Sequence, residues 1–410
     1  MNNYVTHLES AIDGSRLACD EIQTMHKDRP LWVRYDLEAV AANLKPEMLA
    51  SRPASLWRYR ELLPLPFDVA PISLGESMTP LLPVPKLASR LGMKDLWVKD
   101  ESILPTASFK ARGLGMAVNM AAGFGISTFA IPTAGNAGGA LSAYAARAGA
   151  RAFVFMPSDT PIANMHECRL AGADVYLVDG LINDCGAIVK AGKDRMGWFD
   201  VSTLKEPYRI EGKKTMGLEL AEQCHWTLPD VIIYPTGGGT GLIGMWKAFQ
   251  ELAAMGWLTM DRMPRMISVQ SDGCAPIARA FANGERFAAA WEGASTCATG
   301  IRVPVAVGDF MILDAIRDSG GVALAVEESK IERMTAEAIG LEGLAFCPEA
   351  GACVLALSRL LEDGLVRPDE RVVVFNTGSA AKYYPASVPD LPRLSGVASV
   401  DFDRLAERVV

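Results

Sequence analysis

Short apolar runs that alternate with helix-like segments do most to narrow the range of folds open to this sequence. From about residue 95 onward, runs of three or four apolar residues recur between longer stretches with helical periodicity, as at 96–98, 153–156, 175–178, 231–234 and 372–375. Such alternation is typical of parallel sheets that helices cover on both faces. The pattern predicts an α/β fold built from doubly wound parallel sheets.

Length and charge set further limits. A single core rarely grows beyond about 250–300 residues, so a chain of 410 residues predicts at least two domains. The net charge of −8 argues against a nucleic-acid partner, and no apolar stretch is long enough to span a membrane. The N-terminus resembles no export signal, and the eight cysteines form no C-x-x-C pair. We therefore expect a cytoplasmic protein with reduced thiols.

A lysine lies where a polar loop meets a helix-like segment, in the sequence Ser-Phe-Lys-Ala-Arg-Gly at residues 108–113. Partial desolvation and the positive end of the helix dipole both favour the neutral amine of Lys110. A neutral amine can form a Schiff base with an aldehyde. A solvated lysine in a first helical turn is the commoner pattern, so the motif needs support from other segments.

A glycine-rich turn follows the apolar run 231–234. It consists of Gly237, Gly238, Gly239, Thr240 and Gly241. Because glycines leave the backbone accessible, its amide groups can converge on a phosphate at the N-terminus of the next helix. With Gly244 the turn also matches G-x-G-x-x-G, but a dinucleotide site needs an acidic residue where the sequence has Gln270. The pattern leaves open a nicotinamide dinucleotide or a smaller phosphorylated cofactor.

Two polar side chains follow other apolar runs in the same way. Asn136 comes after the run 128–131, and its amide can donate a hydrogen bond to a phenolate oxygen without adding charge. Thr377 comes after the run 372–375, and its hydroxyl can hydrogen-bond a heterocyclic nitrogen. Each residue alone fits an ordinary turn. Together with the lysine and the glycines, they describe a site for pyridoxal 5'-phosphate.

In the order of these segments, the chain resembles the fold-type II family of pyridoxal-phosphate enzymes, and within it the threonine synthases. The resemblance covers nearly the whole chain, including residues 53–63, 74–81 and 208–215. It implies a homodimer that binds a phosphorylated amino acid. The implied reaction converts O-phospho-L-homoserine and water to L-threonine and phosphate.

The resemblance also implies roles for single residues. Lys110 would hold the cofactor and act as the general base, while the glycine turn 237–241 would bind the cofactor's phosphate. Asn136 and Thr377 would meet the ring oxygen and the pyridine nitrogen of the cofactor. The residues implied for substrate binding are Ser108, Thr133 and Arg209, of which Arg209 suits bidentate binding of a phosphate.

The resemblance divides the chain into an N-terminal segment (1–65), a larger cofactor-binding domain (66–115 and 206–410) and a smaller inserted α/β domain (116–205). The cofactor would lie in the cleft between the two domains, where closure can exclude water. The N-terminal segment is similar to a zinc-ribbon leader that has lost its paired cysteines. Cys19, His7 and His26 cannot supply four ligands at tetrahedral spacing, so we expect no metal.

Departures from the family pattern leave the exact reaction open. Ala137 stands where the family often has threonine, and residues 202–206 lack the family's Asn-Ser pair. Losing these polar groups favours an alternative, in which the enzyme catalyses β-elimination or β-replacement as an amino-acid dehydratase, ammonia-lyase or O-phosphoserine-type synthase. A nicotinamide oxidoreductase and a non-catalytic homologue are two further alternatives.

Several charged residues near these motifs have commoner interpretations. Lys205, Lys213 and Lys214 could restore positive charge for a substrate phosphate, but their pattern predicts positions on a helix surface. Surface or helix-capping roles are likewise expected for the acidic residues Asp100, Glu101, Glu211 and Glu349.

Overall fold

The computed structural model describes residues 2–383, in which strands and helices alternate as the sequence predicts. The strands are β1 (Val5–Ser10), β2 (Arg16–Leu17), β3 (Leu31–Tyr35), β4 (Leu81–Pro83), β5 (Asp95–Asp100), β6 (Thr128–Pro132), β7 (Arg151–Pro157), β8 (Asp174–Val178), β9 (Phe199–Asp200), β10 (Val231–Pro235), β11 (Arg265–Ser271), β12 (Ala323–Val326) and β13 (Arg371–Asn376). The α-helices are α1 (Leu37–Asn43), α2 (Pro46–Leu49), α3 (Pro85–Leu91), α4 (Lys110–Gly123), α5 (Asn136–Ala148), α6 (Ile162–Leu170), α7 (Ile182–Met196), α8 (Tyr208–Gln223), α9 (Thr240–Ala254), α10 (Pro276–Ala282), α11 (Asp309–Asp318), α12 (Glu328–Glu342) and α13 (Pro348–Glu362).

The larger sheet has six strands in the order β12-β11-β10-β13-β5-β4. Neighbouring strands run parallel except at one edge, where β4 is antiparallel to β5. In β10, Ile232 joins a hydrophobic cluster with residues of α8 and α9, whereas Ile233 joins a cluster with residues of α12 and α13. Side chains alternate between the faces of a strand, so both faces of this sheet are covered by helices.

The smaller sheet has four parallel strands in the order β8-β7-β6-β9, and α5, α6 and α7 connect them. All four strands fall between residues 128 and 200, within the sequence of the larger sheet. The predicted fold class, with two helix-covered parallel sheets, is confirmed. The predicted domain boundaries stay a prediction, and residues 384–410 of the larger domain lie outside the described residues.

The N-terminal segment forms a three-stranded antiparallel sheet in the order β2-β1-β3. At the end of β3, the Tyr35 hydroxyl donates to Glu211 Oε2 of α8 over 2.6 Å, which joins this sheet to a helix that packs on the larger one. Within residues 2–383, no three potential metal ligands lie together. None of the helices in that range is long and apolar enough to cross a membrane.

Candidate active site

A cavity lies where β6, β10 and β13 end. Parallel strands present their carboxyl ends at one edge of a sheet, and ligands of open α/β sheets collect there. The cavity brings together the predicted residues Lys110, Thr133, Asn136, Gly237, Gly238, Gly239, Thr240, Gly241 and Thr377. Two predicted residues, Ser108 and Arg209, are not part of its lining.

The position of Lys110 is fixed from both sides of the residue. On one side, the Phe109 amide donates to the Thr377 carbonyl over 3.0 Å, which joins the loop to the end of β13. On the other side, Arg112 donates to Glu101 and to Glu219, each over 2.6 Å, and all three side chains are fully buried. A buried ion pair with this many hydrogen bonds resists displacement, so the start of α4 is held in place.

Burial in the cavity wall lowers the pKa of Lys110 to about 7, and the nearby charge of Arg209 contributes in the same direction. The carboxylate of Glu349 opposes this shift. A lysine with such a pKa is about half neutral at neutral pH. Lys110 can therefore act as a nucleophile toward an aldehyde, as the sequence predicts.

The surface positions predicted for Lys213 and Lys214 are wrong, because both side chains are fully buried. Lys213 donates to the Phe109 carbonyl, and burial, followed by the Lys110 charge, holds the pKa of Lys213 well below 10.5. Lys214 pairs with Glu211 and Glu251. Helix α8 is buried on these faces because α4 and α9 pack closely against it. A Cβ added at Gly212 would overlap the Arg112 carbonyl. The glycine at this position was therefore the sequence signal that another helix packs closely against α8.

The glycine turn leads from β10 into α9 and suits an anion. Gly239 has φ +72°, and a Cβ there would overlap the side chain of Ile312. A Cβ at Gly241 would overlap the Tyr234 hydroxyl. The close approach therefore requires glycine at both positions. Helix α9 begins at Thr240, so unpaired amide groups and the positive end of the helix dipole lie at the cavity.

Asn136 begins α5, in a turn that Thr133 holds. Thr133 Oγ1 accepts hydrogen bonds from the amides of Gly135, over 2.9 Å, and Gly138, over 3.1 Å. The Asn136 amide nitrogen donates to the Tyr383 hydroxyl over 3.3 Å. Its Oδ1 is buried and contacts no partner among the described residues. The turn thus presents a polar group whose hydrogen-bonding capacity is not used up within residues 2–383.

Thr377 lies at the end of β13, with its hydroxyl 3.7 Å from the thiol of Cys347. Burial, with the nearby Glu349 charge second, raises the pKa of Cys347 well above 9. The thiol is therefore a weak neutral partner that leaves the Thr377 hydroxyl available to a ligand.

Arg209 and Ser108 are buried beside the cavity. Arg209 Nη1 donates to the Val201 carbonyl over 2.7 Å, while its Nε and Nη2 contact no partner among the described residues. The Ser108 hydroxyl is likewise buried without a partner there. Both side chains therefore retain donors that are unused within the described residues.

Glu349 and Tyr383 also line the cavity. The sequence gives no indication of Tyr383, and it favours a surface or helix-capping role for Glu349. Glu349 is only 2% exposed, so the surface role expected for it is wrong. Its Oε1 accepts from the Gly300 amide and the Tyr383 hydroxyl, each over 2.7 Å. Pro348 at the first position of α13 marked a helix N-terminus in the sequence. Nothing in the sequence placed that N-terminus at the cavity.

The dinucleotide alternative lacks its acidic residue in the structure as well. Gln270 lies near the end of β11, where its Oε1 accepts from the amides of Ile277 and Ala278. This side chain caps α10 and is fully buried. It is therefore not available to a ribose.

The cavity residues fit pyridoxal phosphate. Lys110 has an amine suited to an aldehyde, and the glycine turn suits a phosphate. Asn136 and Thr377 can hydrogen-bond a ring oxygen and a ring nitrogen.

Comparison with known proteins agrees with this fit. The model of the family described as "Pyridoxal-phosphate dependent enzyme" matches residues 72–378. A threonine synthase of Methanocaldococcus jannaschii is 33% identical over 360 residues, which cover 87% of this chain and 88% of that protein. A threonine synthase of Methanosarcina acetivorans is 32% identical over 406 residues, which cover 98% of each chain.

Solved structures share the fold at lower identity. Maize serine racemase aligns with a TM-score of 0.63 and 20% identity, over 80% of this chain and 91% of that one. A fungal L-serine ammonia-lyase from Rhizomucor miehei aligns with a TM-score of 0.63 and 22% identity, over 75% of this chain and 97% of that one. The family match excludes the nicotinamide oxidoreductase alternative, because the cofactor of this family is pyridoxal phosphate. This chain belongs to the family of pyridoxal-phosphate dependent enzymes.

Proposed function

We propose that this protein is a threonine synthase, which converts O-phospho-L-homoserine and water to L-threonine and phosphate. The observation that carries this proposal is the 32% identity to a threonine synthase over 98% of both chains. The cavity supports it, because it gathers an amine, an anion-binding turn and two neutral hydrogen-bonding groups in the arrangement that this chemistry needs.

The cofactor would be held at four points. The turn 237–241 and the start of α9 would bind its phosphate, and Lys110 would be joined to it covalently. Asn136 would donate to its ring oxygen, and Thr377 would meet its pyridine nitrogen. When bound, pyridoxal phosphate supplies an aldehyde that condenses with amines and a conjugated ring that accepts the electron pair of the substrate's α-carbon.

Lys110 would also move the substrate's proton. With a pKa of about 7, its amine can accept a proton from the α-carbon and return it without a large energetic penalty in either direction. Arg112 keeps the start of α4 in place, so Lys110 returns to the same position after each turnover.

The phosphate of the substrate would be bound by Arg209, with Thr133 and Ser108 as hydroxyl neighbours. The unpartnered Nε and Nη2 of Arg209 could form the two parallel hydrogen bonds that a phosphate accepts. The Val201 carbonyl already occupies Nη1. Arg209 does not line the cavity, so it would have to shift toward a substrate bound there.

That requirement also favours the second candidate function, β-elimination or β-replacement on an amino acid without a γ-phosphate. Arg209 does not line the cavity, and Ala137, which does, has no hydroxyl. A substrate without a γ-phosphate needs neither group.

One experiment separates the two functions. Cofactor-loaded protein is mixed with O-phospho-L-homoserine, and phosphate and threonine are measured together. Equal amounts of both, lost in Lys110→Ala, would support a threonine synthase. Phosphate with 2-oxobutyrate would indicate elimination without addition of water. If O-phospho-L-homoserine yields no phosphate, whereas L-serine, L-threonine or O-phospho-L-serine offered in its place is consumed, the second function holds.

The assembly, location and metal content form part of the same proposal. We expect a homodimer in the cytoplasm, with the division into residues 1–65, 66–115 with 206–410, and 116–205. Light scattering would test the dimer. Stoichiometric zinc in protein purified without added metal would contradict a metal-free N-terminal segment.

A further inference from the structure

A relay of hydrogen bonds, made by Gly300, Glu349, Tyr383 and Asn136, crosses the cavity. The Gly300 amide and the Tyr383 hydroxyl both donate to Glu349 Oε1 over 2.7 Å, and the Asn136 amide nitrogen donates to Tyr383 over 3.3 Å. Glu349 and Tyr383 follow elements of the larger sheet, whereas Asn136 begins the helix that follows β6 of the smaller one. The relay therefore spans the two sheets.

The contacts of Glu349 determine which atom donates and which accepts in each bond of the relay. Oε1 accepts from a backbone amide, which can only donate, so this oxygen acts as an acceptor. Burial, followed by the Glu349 charge, raises the pKa of Tyr383 well above 10, and the hydroxyl keeps its single proton. Because that proton goes to Glu349, the Tyr383 oxygen accepts from Asn136, and Asn136 has to present its nitrogen rather than its oxygen.

We propose that Glu349 and Tyr383 are positioning residues that hold the Asn136 side-chain amide with its N–H groups available to the cofactor's ring oxygen. The inference rests on the proposed contact between Asn136 and that oxygen. One N–H of the amide donates to Tyr383, and the second remains for the ligand. The opposite orientation would bring the amide oxygen against the ring oxygen, and two acceptors repel each other.

The environment of Asn136 supports a constraint of this kind. Its Oδ1 is buried without a partner among the described residues, so the amide gains nothing there from the orientation that it adopts. Buried polar atoms are normally satisfied. The bond to Tyr383 is the contact on this side chain that selects the orientation.

Three substitutions test the relay without removing Asn136. Tyr383→Phe deletes the acceptor and keeps the ring. Glu349→Leu deletes the group that receives the hydroxyl proton, so Tyr383 becomes free to donate to Asn136 Oδ1. Glu349→Gln is the matched control, because its amide oxygen can accept both bonds at the Oε1 position while the charge is lost.

The measurement is the dissociation constant of pyridoxal phosphate, obtained by titrating cofactor-free protein without any amino-acid substrate. We expect Tyr383→Phe and Glu349→Leu to raise it about tenfold, which is the loss of one good hydrogen bond, and Glu349→Gln to change it less than about threefold. In an Asn136→Ala background, Tyr383→Phe should add nothing further. Nitrogen-15 labelling of asparagine would show whether the side-chain amide changes its hydrogen-bond partners in the cofactor-free variants.

Two results would overturn the inference. If Tyr383→Phe weakens binding as much in the Asn136→Ala background as in the parent protein, Tyr383 does not act through Asn136. If Asn136→Ala itself leaves the dissociation constant unchanged, Asn136 does not bind the cofactor's ring oxygen, and the relay has no such contact to support. Failure of the proposed reaction is a separate result, because it would appear as normal cofactor binding without formation of threonine.

Discussion

Two buried regions of this molecule differ in whether their polar groups have partners. In the ion clusters along α8, each charge contacts an opposite one: Arg112 pairs with Glu101 and Glu219, and Lys214 with Glu211. In and beside the cavity, Ser108 Oγ, Asn136 Oδ1 and Glu349 Oε2 are buried without a partner in the described part of the chain.

The difference separates structural support from binding. Paired buried charges resist movement, since removing one partner leaves the other uncompensated. Unpaired buried groups carry an energetic cost that a bound ligand can offset. Substitutions in the ion clusters should therefore change stability, and substitutions in the cavity should change binding and turnover.

Replacing Lys110 with alanine should reduce turnover at least about a thousandfold, because the variant lacks both the nucleophile and the general base. Borohydride treatment of the loaded parent protein should fix the cofactor to this residue, as detected by mass spectrometry of peptides. Unfolding midpoints of the two proteins should be similar. A large loss of stability would contradict the separation between the cavity and the ion clusters.

Replacing Arg112 with methionine should lower the free energy of unfolding by about 3–5 kcal/mol, because Glu101 and Glu219 would remain buried without their partner. Denaturant unfolding of cofactor-free protein measures this change. Arg90→Met is the matched control, since its pair with Glu337 is exposed and should contribute less than about 1 kcal/mol. Equal effects of the two substitutions would refute a special role for the buried cluster.

Replacing Gly239 with alanine should weaken binding of pyridoxal phosphate more than about tenfold, because the new methyl group would overlap Ile312 and distort the turn. Gly256→Ala is the control. It has a similar φ of +77° but open space around the Cβ position, so only the backbone strain is shared. We expect the control to bind the cofactor normally.

The rate at which cofactor-free protein captures pyridoxal phosphate should rise with pH and reach half its maximum near the Lys110 pKa of about 7. Below this pH the ammonium form predominates, and above it the reactive amine does. The Glu349 charge raises the pKa of Lys110, so Glu349→Gln should move the midpoint to lower pH. Replacing the exposed Glu362 with glutamine should leave it unchanged.

Much of the site could be predicted because the topology of an α/β sheet brings together the residues that follow its strands. Gly237 and Thr377 follow strands of the larger sheet, and the carboxyl ends of its parallel strands meet at one edge. Asn136 follows a strand of the smaller sheet, so its place in the same site depended on the family resemblance, which puts the cofactor between the two domains. The same reasoning identified the fold class.

The parts that could not be predicted depend on contacts between distant segments. Lys213 has a neighbourhood of ordinary helical sequence, and its burial follows from the packing of α4 and α9 against α8. Glu349 and Tyr383 line the cavity because the start of α13 and the chain after β13 both lie at it. The local sequence indicates such contacts indirectly at most, as Gly212 does for the packing of α4 against α8.

The thiol of Cys347 is a second group, besides the Lys110 amine, that could react with an aldehyde. Thiols add readily to aldehydes, and this one lies 3.7 Å from the hydroxyl of Thr377. Its raised pKa keeps the sulfur protonated and poorly nucleophilic, whereas Lys110 is partly deprotonated at the same pH. Cys347 contacts a cavity residue but does not itself line the cavity, and its pKa is raised while that of Lys110 is lowered. Lys110 is therefore the nucleophile that can capture an aldehyde.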